Sequence, residues 1–311
     1  MTQQLRKITI VGAGGGVGSW ILSAALDLGH TVSVITRPDS DTSKLPSGVT
    51  AIHRASYDDV EAITPLLVGQ DVLVLAIGFM AVQLQKHIIQ AAAAAGVPWI
   101  VPTEYTSQSE LSDRIKHFNP VFGLKDVFRK QIEELGVSSW IGVVNNPWTE
   151  FSLRMGSGAF GIDVLAKKAT LYNGGRTKFN TTTFPRVGRS LAAVLALPDA
   201  ELARRGYKNN VVYFSSFLVN QRDLLESVLK ATGESESEWT IEDVGAEETV
   251  NEAAKQPFDT RLLYATVARE GFGGNYQDKV VINKEFGFEQ EDLDAVVKSV
   301  VDEIRSGAAS A

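Results

Sequence analysis

The chain has 311 residues, enough for one large or two ordinary domains whose core needs no disulfide or metal staple. Its residues are 44% hydrophobic and 22% charged with a net charge of -7, which argues against a nucleic-acid partner. No window reaches the roughly eighteen uninterrupted apolar residues of a membrane span. Cysteine is absent, which removes disulfides, thiolate catalysis and thiolate metal sites together and fits a reducing, cytoplasmic location.

An apolar run, Ile8–Val11, leads into a glycine cluster of Gly12, Gly14, Gly15, Gly16 and Gly18. The glycines break the apolar stretch and exclude reading it as a secretory signal. An amphipathic segment over 17–28 follows, with Val17, Trp20, Ile21, Ala24, Ala25 and Leu28 on one helical face. Strands are predicted at 31–36, 50–53, 71–77, 98–102 and 138–144, and helices at 58–67, 81–95 and 121–135. The runs Val72–Leu75 and Trp99–Val101 are wholly apolar, as strands of a sheet covered on both faces should be. Gly29, Gly69, Gly96 and Gly136 stand where helices should end. Strands alternating with helices imply right-handed crossovers, hence an α/β Rossmann-type doubly wound parallel sheet.

After Pro147 the rhythm changes. Residues 151–183 are rich in Gly and Thr with irregular patterning. Helices are expected at 185–197, at 221–232 and around Leu293–Ile304, a strand at 211–214, and a solvated turn at 234–239. We read residues 1–150 as a dinucleotide-binding domain and 151–311 as a smaller substrate lobe, partly interleaved with the first.

The glycines fit G-x-x-G-x-x-G at 12, 15 and 18, and the surplus also allows G-x-G-x-x-x-G. Val17 occupies the place of the third glycine in the tighter G-x-G-x-x-G form. Every version serves a sharp turn, close backbone approach to a pyrophosphate and close helix–strand contact. Flanked by strand and helix, the cluster points to a dinucleotide on the helix N-terminus. An NAD site usually ends the second strand with an acidic residue. Here Thr36 and Arg37 stand there, and an arginine can meet a 2′-phosphate with a charge-assisted fork, so NADP(H) is the expected cofactor. Asp39 and Asp41 would compete if the loop folds back. Ile77, Gly78 and Phe79, at the end of the fourth strand, should pass the cofactor's phosphates and ribose. Thr103, Glu104 and Tyr105 follow the fifth strand and would face the nicotinamide ribose or the substrate. Asn146 and Pro147 follow the sixth, and Met80 and Trp148 are candidate walls of the substrate site.

Most catalytic templates are missing. There is no G-K-[ST] phosphate loop, no H-E-x-x-H, no G-x-S-x-G, no histidine spacing that suits a metal, and no tyrosine with a lysine four residues later. Lys125 lies beside an apolar stripe of Val121, Leu124, Phe128, Ile132 and Leu135. It either snorkels past the rim of the core or points into a cavity, where a lowered pKa would suit proton transfer. Lys125 and Tyr105 are the catalytic candidates.

The glycine turn, Val101–Tyr105, Lys125–Glu133, Val187–Val194 and Tyr213–Gln221 together resemble the NmrA-like, isoflavone-reductase-like branch of atypical short-chain dehydrogenases. The resemblance covers most of the chain. It implies an NADPH-dependent reductase acting on a small, aromatic or natural-product-like substrate, with a catalytic lysine whose place falls on Lys125. It also departs from the family. Pro102–Thr106 reads Pro-Thr-Glu-Tyr-Thr where the family has Pro-Ser-Glu-Phe-Gly, and Gly12–Gly15 reads Gly-Ala-Gly-Gly in place of Gly-Ala-Thr-Gly. Two further readings come with it: a non-catalytic NADP(H)-sensing regulator bound to a partner protein, whose known examples tend to lack the lysine, and an isomerase or cyclase using the same pocket. No nucleic acid or membrane partner is expected, and the chain should be a monomer or homodimer. The polar segment 106–120 reads as a mobile cover.

Overall fold

The computed structural model describes residues 3–107, 124–256, 259–272, 274–280 and 282–307. The predicted segments Val121–Gly123 and most of 106–120 lie outside these residues. The chain divides into two compact units. The first holds residues up to Tyr105, with Leu124–Val144 and Phe184–Phe214. The second holds Thr106, Ser107, Asn145–Thr183 and the residues from Ser215 on.

The first unit is built on a parallel sheet. Its strands in chain order are β1 (Lys7–Val11), β2 (Thr31–Thr36), β3 (Ala51–Arg54), β4 (Val72–Leu75), β5 (Trp99–Val101), β6 (Ser139–Val144) and a strand at Asn210–Tyr213. Across the sheet the order is Asn210–Tyr213, β6, β5, β4, β1, β2, β3, with every pairing parallel. The all-apolar run of β4 is buried at every position, and only the edge strand β3 alternates between half-buried and exposed residues. The strand sequence reverses between β1 and β4, and such a switch point opens a ligand crevice at the carboxyl ends of the strands.

The helices α1 (Gly16–Asp27), α2 (Val60–Leu67), α3 (Gln85–Ala95) and α4 (Leu124–Leu135) link these strands. Asp59 caps α2 by accepting from Ala62 N–H at 2.9 Å. Gly96 ends α3 in a left-handed conformation at φ 76°, and Gly29, Gly69 and Gly136 also have positive φ at the expected ends. Trp20 departs from the sequence reading: it is 45% exposed, whereas Leu22 is buried. The reason is a second cover on α1. The helix Phe184–Leu195 packs against it so closely that a β-carbon at Gly188 would lie 2.4 Å from the Trp20 carbonyl oxygen. The buried arc of α1 therefore runs through Gly18, Ile21, Leu22, Ala24 and Ala25.

The second unit has its own core, in which Phe160 meets Phe179 at 5.7 Å and the edge of Tyr264 at 5.6 Å. A three-stranded sheet runs Thr240–Val244, Lys168–Tyr172, Ile162–Asp163, and a two-stranded one pairs Phe217–Val219 with Phe179–Thr181. The final helix, Leu293–Ser306, is capped by Asp292 and buries Val297, Val300 and Val301 on the predicted stripe. The segment 234–239 is more than a solvated turn. Glu234 accepts from Lys167 at 2.9 Å, Arg305 at 2.7 Å and the Trp239 indole at 2.9 Å, and Trp239 is buried. Among the described residues no helix is long and apolar enough to cross a membrane.

Two predictions follow from this packing. Gly188→Ala is expected to lower unfolding free energy by about 1–3 kcal/mol in urea, because α1 must move away from its partner helix; an unchanged midpoint would contradict the close crossing. Hydrogen bonding from Lys167 holds the Glu234 carboxyl down at about 2. A depressed carboxyl stabilises the fold above its unfolded pKa, and that stability is lost as pH falls through the folded value. Glu234→Gln should therefore flatten the acid limb of the urea midpoint between about pH 4.5 and pH 2.

Candidate functional site

The glycine turn sits at the switch point. Gly12 has φ 87°, and a β-carbon on it would come within 2.2 Å of the Ala76 carbonyl oxygen at the end of β4. A β-carbon on Gly18 would come within 2.1 Å of the Gly12 carbonyl oxygen. Gly14 has nothing within 4 Å of where a β-carbon would be, and Gly15 only the Gly12 oxygen at 3.5 Å. The two outer glycines are thus forced by the turn, while the inner ones leave open space. Gly15 caps α1 without a side chain. The first-turn N–H groups of Gly16, Val17 and Gly18 have no carbonyl within the helix to donate to. Bare amides at a positive helix end beside open space fit a pyrophosphate.

Thr36 ends β2, and Arg37 follows it, 61% exposed at the side chain and 3.8 Å from Asp39. Arg54, paired with Thr36 across the sheet, donates to the Pro38 carbonyl at 2.7 Å, the Ser40 carbonyl at 3.0 Å and Thr42 Oγ1 at 3.2 Å. It fixes the loop that carries Arg37. The exposed Arg37 guanidinium, on a loop that Arg54 fixes, fits a 2′-phosphate better than the two hydroxyls of an unphosphorylated ribose.

At the next strand ends, Ile77 N–H donates to Thr103 Oγ1 at 3.1 Å, and Thr103 N–H donates to Gln85 Oε1 at 3.1 Å. The Thr103 hydroxyl thus ties the end of β4 to the end of β5, and Gln85, fully buried at the start of α3, anchors Thr103 to that helix. Gly78 and Phe79 are exposed, and Met80 is 89% exposed.

Glu104 and Tyr105 are buried, as is Lys125 at 7% exposure. α4 turns the charged side chains of Lys125 and Arg129 inward, and Lys125 lies close enough to Glu104 for their charges to interact. Burial and the Glu104 charge push the Tyr105 phenol far up, so it stays protonated. The Glu104 carboxylate receives Arg129 Nε at 2.8 Å and also Arg129 Nη2. Burial pushes this carboxyl up and the Arg129 guanidinium pulls it back.

Asn146, Pro147 and Trp148 belong to the second unit. Asn146 has φ 54° and donates Nδ2–H to the Gly274 carbonyl at 2.7 Å, and its buried Oδ1 has no hydrogen-bond partner. The Pro147 carbonyl accepts from Thr181 Oγ1 at 2.6 Å, and the half-buried Trp148 precedes the helix Thr149–Arg154. Sequence reasoning missed Arg54, Gln85 and Arg129. Only Arg129 left a signal, four residues from Lys125 on one helix.

A parallel sheet with its switch point at a glycine turn and a bare helix N-terminus defines a Rossmann-type protein of the dinucleotide-binding kind. Residues 4–146 match the model of the NmrA-like family. It is 29% identical over 312 aligned positions to oxidoreductase aprR of Aspergillus flavus, covering 95% of this chain and 98% of that one. Oxidoreductase poxI of Penicillium oxalicum is 28% identical over 264 positions, covering 82% of this chain and 78% of that one. The NADPH binary complex of leucoanthocyanidin reductase from Vitis vinifera shares the fold, with a TM-score of 0.77 at 16% identity over 95% of this chain and 99% of that one.

The turn geometry makes a direct prediction. Gly18→Ala should weaken NADPH binding, followed by fluorescence titration, by about a hundredfold or more, since the turn must open by more than an ångström-scale adjustment. A dissociation constant equal to that of the wild type would contradict the cradle.

Proposed function

We propose that this protein is an NADPH-dependent reductase acting on a small, aromatic or natural-product-like substrate. The observation that carries the reading is a lysine buried on α4 in the same unit as an open glycine cradle. Bound NADPH supplies the hydride. Gly12 and Gly18 shape the turn, and the amides of Gly16, Val17 and Gly18 hold the pyrophosphate. Arg37 meets the 2′-phosphate, with Arg54 holding its loop. Ile77, Gly78 and Phe79 pass the phosphates and ribose, and Thr103 orders that edge. Lys125 holds a proton at Nζ and delivers it to the oxygen that gains charge, directly or through a water. Tyr105, kept a phenol, serves as a wall or hydrogen-bond donor. The names of the fungal relatives and the NADPH bound to the reductase of similar fold support this reading.

Lys125→Ala is expected to lower turnover at least about a hundredfold, with NADPH affinity within about threefold of wild type. The assay is NADPH oxidation across a panel of aryl carbonyl and phenolic substrates; unchanged turnover with NADPH still bound would overturn the role of Lys125. Arg37→Glu should weaken NADPH by about tenfold or more and leave NADH nearly unchanged. Equal losses for both would remove the 2′-phosphate contact.

A further inference from the structure

The side chains behind Lys125 form a construction that the reductase reading does not use. Glu104 is 4% exposed and grips Arg129 through two nitrogens. Arg129 lies one helical turn beyond Lys125 on α4, and its guanidinium stacks 4.6 Å from the centre of the Trp140 ring. The Trp140 indole donates to Glu133 Oε1 at 2.8 Å, a second tie between α4 and β6. Gly142, two residues along β6 on the same face as Trp140, lies beneath the ion pair. A β-carbon there would sit 2.7 Å from Glu104 Oε2, 3.0 Å from Arg129 Nη2 and 3.0 Å from Val211 Cγ1. The backbone of Gly142 has no positive φ, so space and not conformation requires glycine here. Among the described residues, Lys125 and Asp126 on α4 are the charged groups shown acting on the pair, and Glu133 on the same helix holds the Trp140 indole.

A buried pair is a poor source of stability, because well-packed apolar residues of equal volume serve as well or better. Its special property is geometric: a planar fork on a carboxylate fixes distance and angle. Here it fixes α4 to the same short loop whose Thr103 receives the Ile77 N–H. Lys125 is therefore referenced to the strand ends of the crevice as well as to the core.

We propose that the Glu104–Arg129 pair, seated on the bare backbone of Gly142, is a positioning device that sets where Lys125 holds its ammonium group. The proposal rests on the reading of Lys125 as the proton donor, and its test is separate from that reading. The measurement is the rate at which acetic anhydride acetylates Lys125 in NADPH-saturated protein, followed by peptide mass spectrometry from pH 6 to 10 and normalised to Lys130, which is 75% exposed. Gly142→Ala wedges the pair apart, and Arg129→Lys keeps the charge but loses the fork. Each should change the normalised rate by about threefold or more, or move its pH midpoint by about half a unit, with NADPH affinity within about twofold. Rates and midpoints equal to wild type in both variants, even with a lowered melting temperature, would reduce the pair to a structural role and overturn the proposal. If Gly142→Ala does not fold, Arg129→Lys decides alone. Altered labelling in these variants, combined with full turnover in Lys125→Ala, would leave the positioning device standing and remove the catalytic role.

Discussion

The carbonyl oxygens of Gly12 and Ala76 occupy the places where side chains at residues 18 and 12 would begin. This mutual approach of three backbone segments brings the start of α1 against the ends of β1 and β4. Everything at the candidate site is measured from it. With the approach closed, the first-turn amides of α1 face the open space beside Gly14 and Gly15. The same closure puts Ile77, through its bond to Thr103, within reach of the loop that carries Glu104. The glycine turn and the lysine-bearing helix are thus tied by close packing and hydrogen bonds into one frame in the first unit.

Much of that frame was legible because its constraints are local. An all-apolar Val72–Leu75 can only be a strand covered on both faces, and a glycine after each helical stripe marks the helix end wherever the chain goes next. The cradle was legible for the same reason, although the sequence offered two spacings. The structure shows that both share the glycines forced by sterics, Gly12 and Gly18, and differ only over an inner one with room to spare. The same logic placed Lys125 beside the buried stripe of α4.

Partners across the fold were not legible. A helical stripe tells which face is buried and leaves open what covers it. Trp20 was assigned to the core because the packing of Phe184–Leu195 onto α1 through Gly188 is invisible in either segment alone. Met80, after β4, is 89% exposed. The Glu104 carboxylate, after β5, is held by Arg129. In each case tertiary packing decides the side-chain direction, which the sequence alone does not carry.

The account stands on one claim, that the glycine cradle and the Arg37–Arg54 corner together hold a 2′-phosphorylated dinucleotide. Isothermal titration of the unmodified protein with NADPH and with NADH tests it directly. The account predicts one molecule of NADPH per chain, bound at least about tenfold more tightly than NADH. Equal affinities, or no binding of either nucleotide, would contradict it.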